Sequence, residues 1–278
     1  MDHERWSEAQ KRTTVVVDGK ELEVAYRDEG SGEPVVFLHG IPTWSFLWRQ
    51  VVPRLEGEFR TIVPDLVGYG NSNRREGFDR SIRAQEQALA GLVEELDLDR
   101  FHVVAHDIGG GAVALRYGAH TDGRIDQLVC SNATCYGSWP VGYIAELGLP
   151  RTAEMSPEKF RAELDEAFLG GLERDEPEPD WTAGIEAPWL RGRASERSPA
   201  RRSRPTPITR PRFPTGRSTR NCCVCGGAAD AEQPIKNGER LIEDVGGECI
   251  GLEDAGHWVM EDRPDAYTEH VEGFLTDG

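Results

Sequence analysis

The chain has 278 residues, a length that suits one large α/β core with an inserted segment. Its 49 acidic and 32 basic residues give a formal net charge of -17, which argues against a nucleic acid or an anionic membrane surface as partner. Only four of the basic residues are lysines, a balance typical of proteins from salt-loving cells. The polar first residues, and the lack of any apolar run of about 18 residues, predict a cytoplasmic protein.

The six cysteines lack the regular spacing of a disulfide scaffold, which favours a reducing compartment. Cys222, Cys223 and Cys225 form a cluster, but no second pair of ligands follows at zinc-site spacing. We therefore expect no metal and no organic cofactor, and only a small-molecule substrate and water as partners. The sequence leaves the oligomeric state open.

Two strand-like runs, 13–17 and 21–26, flank the turn signal Asp18-Gly19 and predict an opening hairpin. Apolar runs then alternate with helix-like stretches. The runs are 35–38, 61–63, 101–105 and 127–130, and the helix-like stretches are 80–98 and 109–118. Continuous apolar runs between helices predict a mostly parallel sheet covered on both faces, with ligands bound beyond the carboxyl ends of its strands.

This alternation stops after residue 136. Residues 138–222 contain no convincing strand but several helix-compatible stretches, such as 156–168, and predict a helical lid inserted between core segments 1–137 and 223–278. Strand signals return at 222–225 and 249–252. A closing helix is predicted at 264–275, where apolar residues recur at helical spacing.

The segment 191–220 contains ten arginines, five prolines and a single acidic residue, Glu196. This composition is typical of a disordered basic linker, and a nucleic-acid-binding or partner-binding arm is the functional interpretation. We favour a shifted reading frame of a high-GC gene, because Arg, Pro, Ser and Thr codons dominate such frames. On either interpretation the lid is disrupted.

The strongest chemical signal is the stretch 105–109, Ala-His-Asp-Ile-Gly, which lies between an apolar strand and a helix of small residues. Small residues around a tight strand-to-helix turn are typical of a nucleophile elbow, here with Asp107 where Ser is commoner. The helix N-terminus favours an ionised side chain, and a carboxylate is a usable covalent nucleophile. An isolated Asp at this place would more often cap the helix.

An oxyanion loop is predicted at 39–49, after the strand 35–38. A turn that contains Gly40 directs the backbone N–H of Ile41 towards the same point as that of Ile108, which gives two donors. His39 in this loop, like His106 beside the elbow, is interpreted as an orienting residue.

His257 follows the strand 249–252 and has the ordinary pKa of a base that works near neutrality. It comes after Asp107 in the chain, as the order nucleophile, acid, base requires. Asp230 is the candidate acid that would hold it, with Glu232 and Asp254 as alternatives, whereas Asn132 is not an acid.

Taken together, the stretches 39–45, 65–72, 106–110 and 256–258 resemble the haloalkane dehalogenase and epoxide hydrolase branch of the α/β-hydrolase superfamily. The resemblance covers residues 20–140 and 226–278. It implies an α/β-hydrolase fold with a helical lid. It further implies Asp107 as nucleophile, His257 as base, Asp230 as acid and the amides of Ile41 and Ile108 as oxyanion donors. Asp65, at the head of the second stretch, is more typical of a residue that organises a loop.

The substrate contacts are less clearly indicated. Dehalogenases of this branch carry a Trp after the nucleophile as a halide donor, and this chain has Ile108, which has no side-chain donor. A second halide donor is an Asn in the oxyanion loop, here Ile41, or a Trp in the lid. The lid tryptophans are Trp139, Trp181 and Trp189.

We take Trp44, His106 and Trp139 as the candidate substrate contacts. Epoxide hydrolases instead place lid tyrosines over the epoxide oxygen, and Tyr143 and Tyr136 are the residues available here.

The leading functional hypothesis is hydrolysis of a carbon–halide bond through an alkyl ester of Asp107. Epoxide hydrolysis is the alternative. Ester hydrolysis is a further alternative, although a carboxylate nucleophile would then pass through an anhydride. A binding protein or an inactive enzyme on the same fold is the hypothesis from another class.

Overall fold

The structure is a computed structural model of the chain, and it describes residues 1–74, 77–121, 123–138, 152, 154–191 and 222–277. The strands are β1 (Lys11–Val17), β2 (Lys20–Gly30), β3 (Glu33–Leu38), β4 (Phe59–Pro64), β5 (Phe101–His106), β6 (Ile125–Ser131), β7 (Cys222–Gly227) and β8 (Glu248–Leu252). The helices are α1 (His3–Glu8), α2 (Val52–Leu55), α3 (Ile82–Glu95), α4 (Leu115–His120), α5 (Pro157–Gly170), α6 (Trp181–Arg191), α7 (Ile235–Val245), α8 (Val259–Asp262) and α9 (Pro264–Thr276). A 3-10 turn, Ser45–Trp48, follows β3, and a π-helical segment, Gly109–Ala114, leads into α4.

All of these strands form one eight-stranded sheet in the order β1-β2-β4-β3-β5-β6-β7-β8. β2 pairs antiparallel with β1 and with β4, and the pairs from β4 across to β8 are parallel. The predicted mostly parallel sheet and its opening hairpin are therefore confirmed. Because β3, β5, β6, β7 and β8 run in one direction, the loops at their carboxyl ends meet at one edge of the sheet.

Both faces of the sheet are covered, which explains the unbroken apolar runs in the sequence. Successive side chains of β5 alternate between two apolar layers: Val103 and Ala105 belong to one, and Val104 belongs to the other. The first layer is completed mainly by α3, α4 and α7, and the second by α2, α9 and the lid helices α5 and α6. The lid helices therefore share a core with the sheet.

Local signals explain the helices that the sequence predicts. Ser156 caps α5 by accepting a hydrogen bond from the Lys159 amide, and Pro157 takes the first helical position. In α9 the buried residues Tyr267, Val271 and Leu275 recur every four positions, which places one face of the helix on the core.

The sequence did not predict α1, α6 or α7. The first residues were interpreted only as polar, yet Trp6 of α1 is fully buried and its indole N–H donates to the Ser45 hydroxyl. β7 begins at Cys222, the last residue of the predicted insertion. The anomalous segment 191–220, apart from Arg191 at the end of α6, lies outside the described residues.

Gly111 in the π-helical segment offers a stability test. A Cβ at this position would lie 1.8 Å from the Thr134 carbonyl oxygen, whereas a Cβ at Gly118 in α4 would meet nothing closer than 3.5 Å. We expect Gly111→Ala to lower the free energy of unfolding by about 1–3 kcal/mol, since overpacking forces the backbone apart. Gly118→Ala, the matched control, should be neutral or stabilising by up to about 1 kcal/mol through helix propensity. Urea denaturation measures both, and equal midpoints for the two variants would contradict the packing described here.

Candidate active site

Asp107 lies directly after β5, in the turn that leads into the π-helical segment. Its φ is 52°, a left-handed conformation that non-glycine residues adopt at a cost. Two glycines allow the turn to pack closely: a Cβ at Gly109 would lie 2.5 Å from the His39 carbonyl oxygen, and one at Gly40 would lie 2.4 Å from the Asp107 Cβ. The predicted elbow geometry is therefore present in the structure.

The two carboxylate oxygens of Asp107 have different partners. Oδ1 accepts a hydrogen bond of 3.0 Å from the backbone N–H of Ile41, and the backbone N–H of Ile108 also donates to the carboxylate. Oδ2 accepts a hydrogen bond of 2.8 Å from the hydroxyl of Thr134. The structure thus places both predicted oxyanion donors against Asp107 and adds Thr134, which the sequence analysis missed.

Burial dominates the electrostatics of Asp107, whose side chain and backbone together are only 4% exposed. Burial raises the pKa of this carboxyl group, and the positive charge of His257 and the hydrogen bonds from Ile108, Ile41 and Thr134 oppose the rise. The net effect is a raised pKa. A buried carboxylate held by few donors is a better nucleophile than a fully hydrated one, because it has no water shell to shed.

His257 and Asp230 form the second half of the site. The Nδ1–H of His257 donates to Asp230 Oδ2 at 2.9 Å. Asp230 Oδ2 also accepts from the Asn132 side-chain amide at 2.5 Å, and Oδ1 accepts from the amides of Glu232 and Gln233. Burial alone would raise the pKa of Asp230, but the His257 hydrogen bond and charge outweigh it, and the pKa falls to about 2.

The same pairing sets the protonation of His257. Burial lowers the pKa of the imidazole, but the hydrogen bond and charge of Asp230, helped by the charge of Asp107, raise it above the ordinary value. Nδ1 carries the proton that bonds to Asp230, and Nε2 makes no hydrogen bond with a described residue. Neutral His257 is therefore arranged to accept a proton at Nε2.

The alternative acids are not positioned for this role. Glu232 contributes its backbone amide to Asp230, and the Asp254 side chain is 90% exposed and pairs with Arg263. Asp65 accepts hydrogen bonds from the amides of Ser45 and Asn71, which agrees with its interpretation as a loop organiser.

His39 and His106 are both fully buried, and the side chain of each forms hydrogen bonds with backbone groups. His106 donates its Nε2–H to the carbonyl of His257 at 2.9 Å, and burial lowers its pKa to about 3, so it stays neutral. His39 donates from Nδ1 to the Gly40 carbonyl and accepts the Leu66 amide at Nε2. The His106 side chain has no exposed surface in this structure, and its role as a substrate contact stays a prediction.

Trp44 does not line an open pocket either. It is fully buried, stacks on Phe46 at 5.4 Å between ring centroids, and donates its indole N–H to the Gly184 carbonyl of α6. The structure thus gives Trp44 a packing role, and its role as a substrate contact stays a prediction. A second hydrogen bond runs in the opposite direction, from the indole N–H of Trp189 on α6 to the Pro42 carbonyl at 2.6 Å. These two bonds fasten the lid helix α6 to the oxyanion loop.

Within the described part of the chain, no hydrogen bond joins the remaining lid residues named from the sequence to Asp107. Trp181 is fully buried against Phe168 and Trp258. Trp139 and Tyr143 lie outside the described residues. Tyr136 donates its hydroxyl to Asp244 Oδ2 at 2.6 Å, away from Asp107.

Two buried acidic residues of α8, Asp262 and Glu261, bond to segments on either side of the active site. Asp262 accepts hydrogen bonds from the amide of Gly256, which precedes His257, and from the amides of Glu173 and Arg174. Glu261 and Arg49 form a buried ion pair at 2.8 Å. Neither acid was predicted from the sequence, because nothing in the local pattern distinguishes the two residues from a solvated helix face.

Within the residues that the structure describes, no group of three or more His, Cys, Asp or Glu side chains is placed to hold a metal ion. In the same part of the chain, none of the helices combines the length and the apolar character needed to cross a bilayer.

The family comparison fits this geometry. Residues 35–270 match the model of the alpha/beta hydrolase family. The matched range contains the strands from β3 to β8 and also Asp107, Asp230 and His257. The chain belongs to the alpha/beta hydrolase family.

Individual relatives point to more than one activity. Haloalkane dehalogenase 2 of Mycobacterium tuberculosis is 31% identical over 143 residues, which cover 51% of this chain and 49% of the dehalogenase. A 2-hydroxy-6-oxo-2,4-heptadienoate hydrolase of Pseudomonas putida is 34% identical over 116 residues, 40% of this chain and 41% of that enzyme. The aligned region thus spans half or less of these curated relatives. A haloalkane dehalogenase structure from Bradyrhizobium elkani shares the fold, with a TM-score of 0.74, 20% identity and coverage of 96% and 98% of the two chains.

The electrostatics of His257 can be tested without a substrate. An NMR titration should give an imidazole midpoint above 6.5 in the wild-type protein, since Asp230 and Asp107 together outweigh burial. Asp230→Asn should move the midpoint to lower pH, because the hydrogen-bonded charge is removed while the desolvation remains. Below the midpoint the base is protonated, so any step that needs it is lost as pH falls.

Asp254→Asn is the control for this titration, because the exposed Asp254 pairs with Arg263 and should leave the His257 midpoint unchanged. A midpoint that responds equally to both substitutions would contradict the Asp230 assignment.

Proposed function

We propose that this alpha/beta hydrolase cleaves a carbon–halide bond by covalent catalysis, with Asp107 as nucleophile, His257 as base and Asp230 as the acid that orients the base. The observation that carries the proposal is the state of the Asp107 carboxylate. One oxygen is held by an oxyanion-loop amide, the group is buried, and the helix N-terminus faces it. The 31% identity to a mycobacterial haloalkane dehalogenase adds support.

In the first step Asp107 Oδ2 attacks the sp³ carbon that bears the halogen. A carbon–oxygen bond forms, the carbon–halogen bond breaks, and its electron pair leaves with the halide. The product is an alkyl ester of Asp107. No proton is needed, because halide is a stable anion.

In the second step His257 Nε2 takes a proton from a water molecule, whose oxygen adds to Cγ of Asp107. The charge that develops on Oδ1 is stabilised by the Ile41 amide, which is already 3.0 Å from that atom. The tetrahedral intermediate then releases the alcohol, whose oxygen takes the proton from His257. Asp107 is left as the carboxylic acid and returns to the carboxylate by losing its proton to solvent. Asp230 stabilises the imidazolium in between.

A carbon–oxygen electrophile such as an epoxide is the second candidate, and one observation favours it. Ile108 has no side-chain donor for halide, and the indole N–H of Trp189 is occupied by the Pro42 carbonyl. Tyr69 instead places a half-buried phenol ring 6.0 Å from His39 and 6.2 Å from Trp189, and its hydroxyl makes no hydrogen bond with a described residue. Burial raises the pKa of Tyr69 to about 12, so the phenol remains a donor at neutral pH.

The alternative of ester hydrolysis has less support, because attack of a carboxylate on an ester carbonyl gives an anhydride, for which Ser would be the natural nucleophile. A binding protein on this fold would have no need of the His257–Asp230 pair.

The covalent step is tested by replacing His257 with Gln, which removes the base but leaves the nucleophile. Incubation with a panel of haloalkanes and epoxides should add the mass of the alkyl group, or of the opened epoxide, to the peptide that contains Asp107. His257→Gln/Asp107→Asn is the control and should take up nothing. Turnover by the wild-type enzyme without any adduct in His257→Gln would contradict the proposal.

The leaving group is tested at position 108. Ile108→Trp supplies the indole N–H that this site lacks, and Ile108→Phe supplies a ring without a donor. A hydrogen bond to an anion stabilises it by about 1.5–3 kcal/mol, so Ile108→Trp should raise bromide release relative to Ile108→Phe by roughly 10-fold or more. Equal bromide release by the two variants would show that position 108 does not face the leaving group.

A further inference from the structure

We propose that the hydroxyl of Thr134 is a catalytic group of the second half-reaction, in which it holds the oxygen of the departing alcohol. The inference rests on the proposed covalent mechanism and assigns a role to a residue outside the nucleophile, base and acid. Thr134 is fully buried, follows β6 by three positions, and its Oγ1 lies 2.8 Å from Asp107 Oδ2.

The position of the hydroxyl is fixed by the backbone on both sides. The Thr134 amide donates to the Asp107 carbonyl at 3.1 Å, and the Thr134 carbonyl packs so tightly on Gly111 that a Cβ there would approach to 1.8 Å. Thr134 and the elbow therefore move as one unit. The backbone from which the hydroxyl projects is thus held against the turn that carries Oδ2.

Oδ2 is the reacting oxygen because Oδ1 is already placed in the oxyanion site. During ester hydrolysis the oxygen that stays doubly bonded to Cγ must be the one held by the Ile41 amide, and that atom is Oδ1. Oδ2 then forms the bond to the substrate carbon and later leaves as the alcohol oxygen. The Thr134 hydroxyl is thus bound to the only atom of the enzyme that changes bonds in both half-reactions.

The hydroxyl acts in opposite senses in the two steps. In alkylation, Oδ2 gives up electron density to carbon, so a hydrogen bond to it stabilises the starting carboxylate and slows attack. In hydrolysis, the Cγ–Oδ2 bond breaks and its electron pair passes to Oδ2, which takes the proton from His257. A hydrogen bond from Thr134 stabilises the negative charge that develops on Oδ2 before this proton arrives.

The test is a rapid-quench measurement of both half-reactions in the wild-type enzyme, Thr134→Val and Thr134→Ser. Val has nearly the shape of Thr but lacks the hydroxyl, and Ser keeps it. Alkylation by 1-bromobutane should be unchanged or faster in Thr134→Val, and hydrolysis of the ester should slow by roughly 10- to 100-fold, since loss of one donor to developing charge has an effect of about this size. Thr134→Ser should stay within a few-fold of wild type in both steps.

The dependence on the alcohol separates a catalytic role from a structural one. 1,2-Dibromoethane leaves the ester of a more acidic alcohol, which needs less stabilisation as it departs. The hydrolysis defect of Thr134→Val should therefore be smaller with this substrate than with 1-bromobutane. A structural defect would slow both esters by the same factor.

Slower alkylation in Thr134→Val, or an equal defect with both substrates, would overturn the assignment of Thr134. If Thr134→Val does not fold, wild-type and Thr134→Ala hydrolysis rates across the two esters decide the question in the same way. Failure of the covalent mechanism itself is a different result: no Asp107 adduct would form in His257→Gln.

Discussion

A buried carboxylate at the end of the central strand is the constraint on which the rest of this site depends. Burial of Asp107 opposes its ionisation and raises the pKa of the carboxyl group, and the charge of His257 and a small number of hydrogen bonds limit that rise. The turn that holds it adopts a left-handed φ and tolerates no side chain at Gly40 or Gly109. Because these two positions carry no side chain, the oxyanion loop can pack closely on the elbow.

The parallel sheet explains how residues distant in sequence reach one point. Asp107 follows β5, Asn132 and Thr134 follow β6, Asp230 follows β7 and His257 follows β8, all at the same edge. The lid helix α6 is hydrogen-bonded to the oxyanion loop at this edge. Trp44 and Trp189 exchange hydrogen bonds with backbone across the boundary between the oxyanion loop and α6, so displacement of the lid helix would disturb the loop that carries the Ile41 amide.

Sequence reasoning succeeded where a role depends on local order. The elbow, the oxyanion loop and His257 each come after a strand, and in the structure these strands are β5, β3 and β8. The sequence says less where a role depends on which way a side chain turns. Trp44 and His106 lie next to the predicted site residues, yet both are fully buried and bond to the backbone of other elements. The lid orients Trp44 and the His257 loop orients His106. These contacts are distant in sequence, so no local pattern predicts them.

Thr134 was missed for a related reason. It lies three residues after β6, at the same sheet edge as Asp107, and that position was the available signal. Hydroxyl residues at strand ends are common, and only the 2.8 Å contact with Oδ2 separates this one from the rest. The same holds for Asn132, which was set aside because it is not an acid but whose amide holds Asp230.

The central claim is that Asp107 forms a covalent bond to the substrate, and a single turnover in ¹⁸O-labelled water with enzyme in excess tests it most directly. The mechanism predicts that the alcohol carries unlabelled oxygen from Asp107 and that the peptide containing Asp107 gains the label. Labelled alcohol in the first turnover, with an unlabelled Asp107 peptide, would mean that water attacks the substrate directly and would contradict the account.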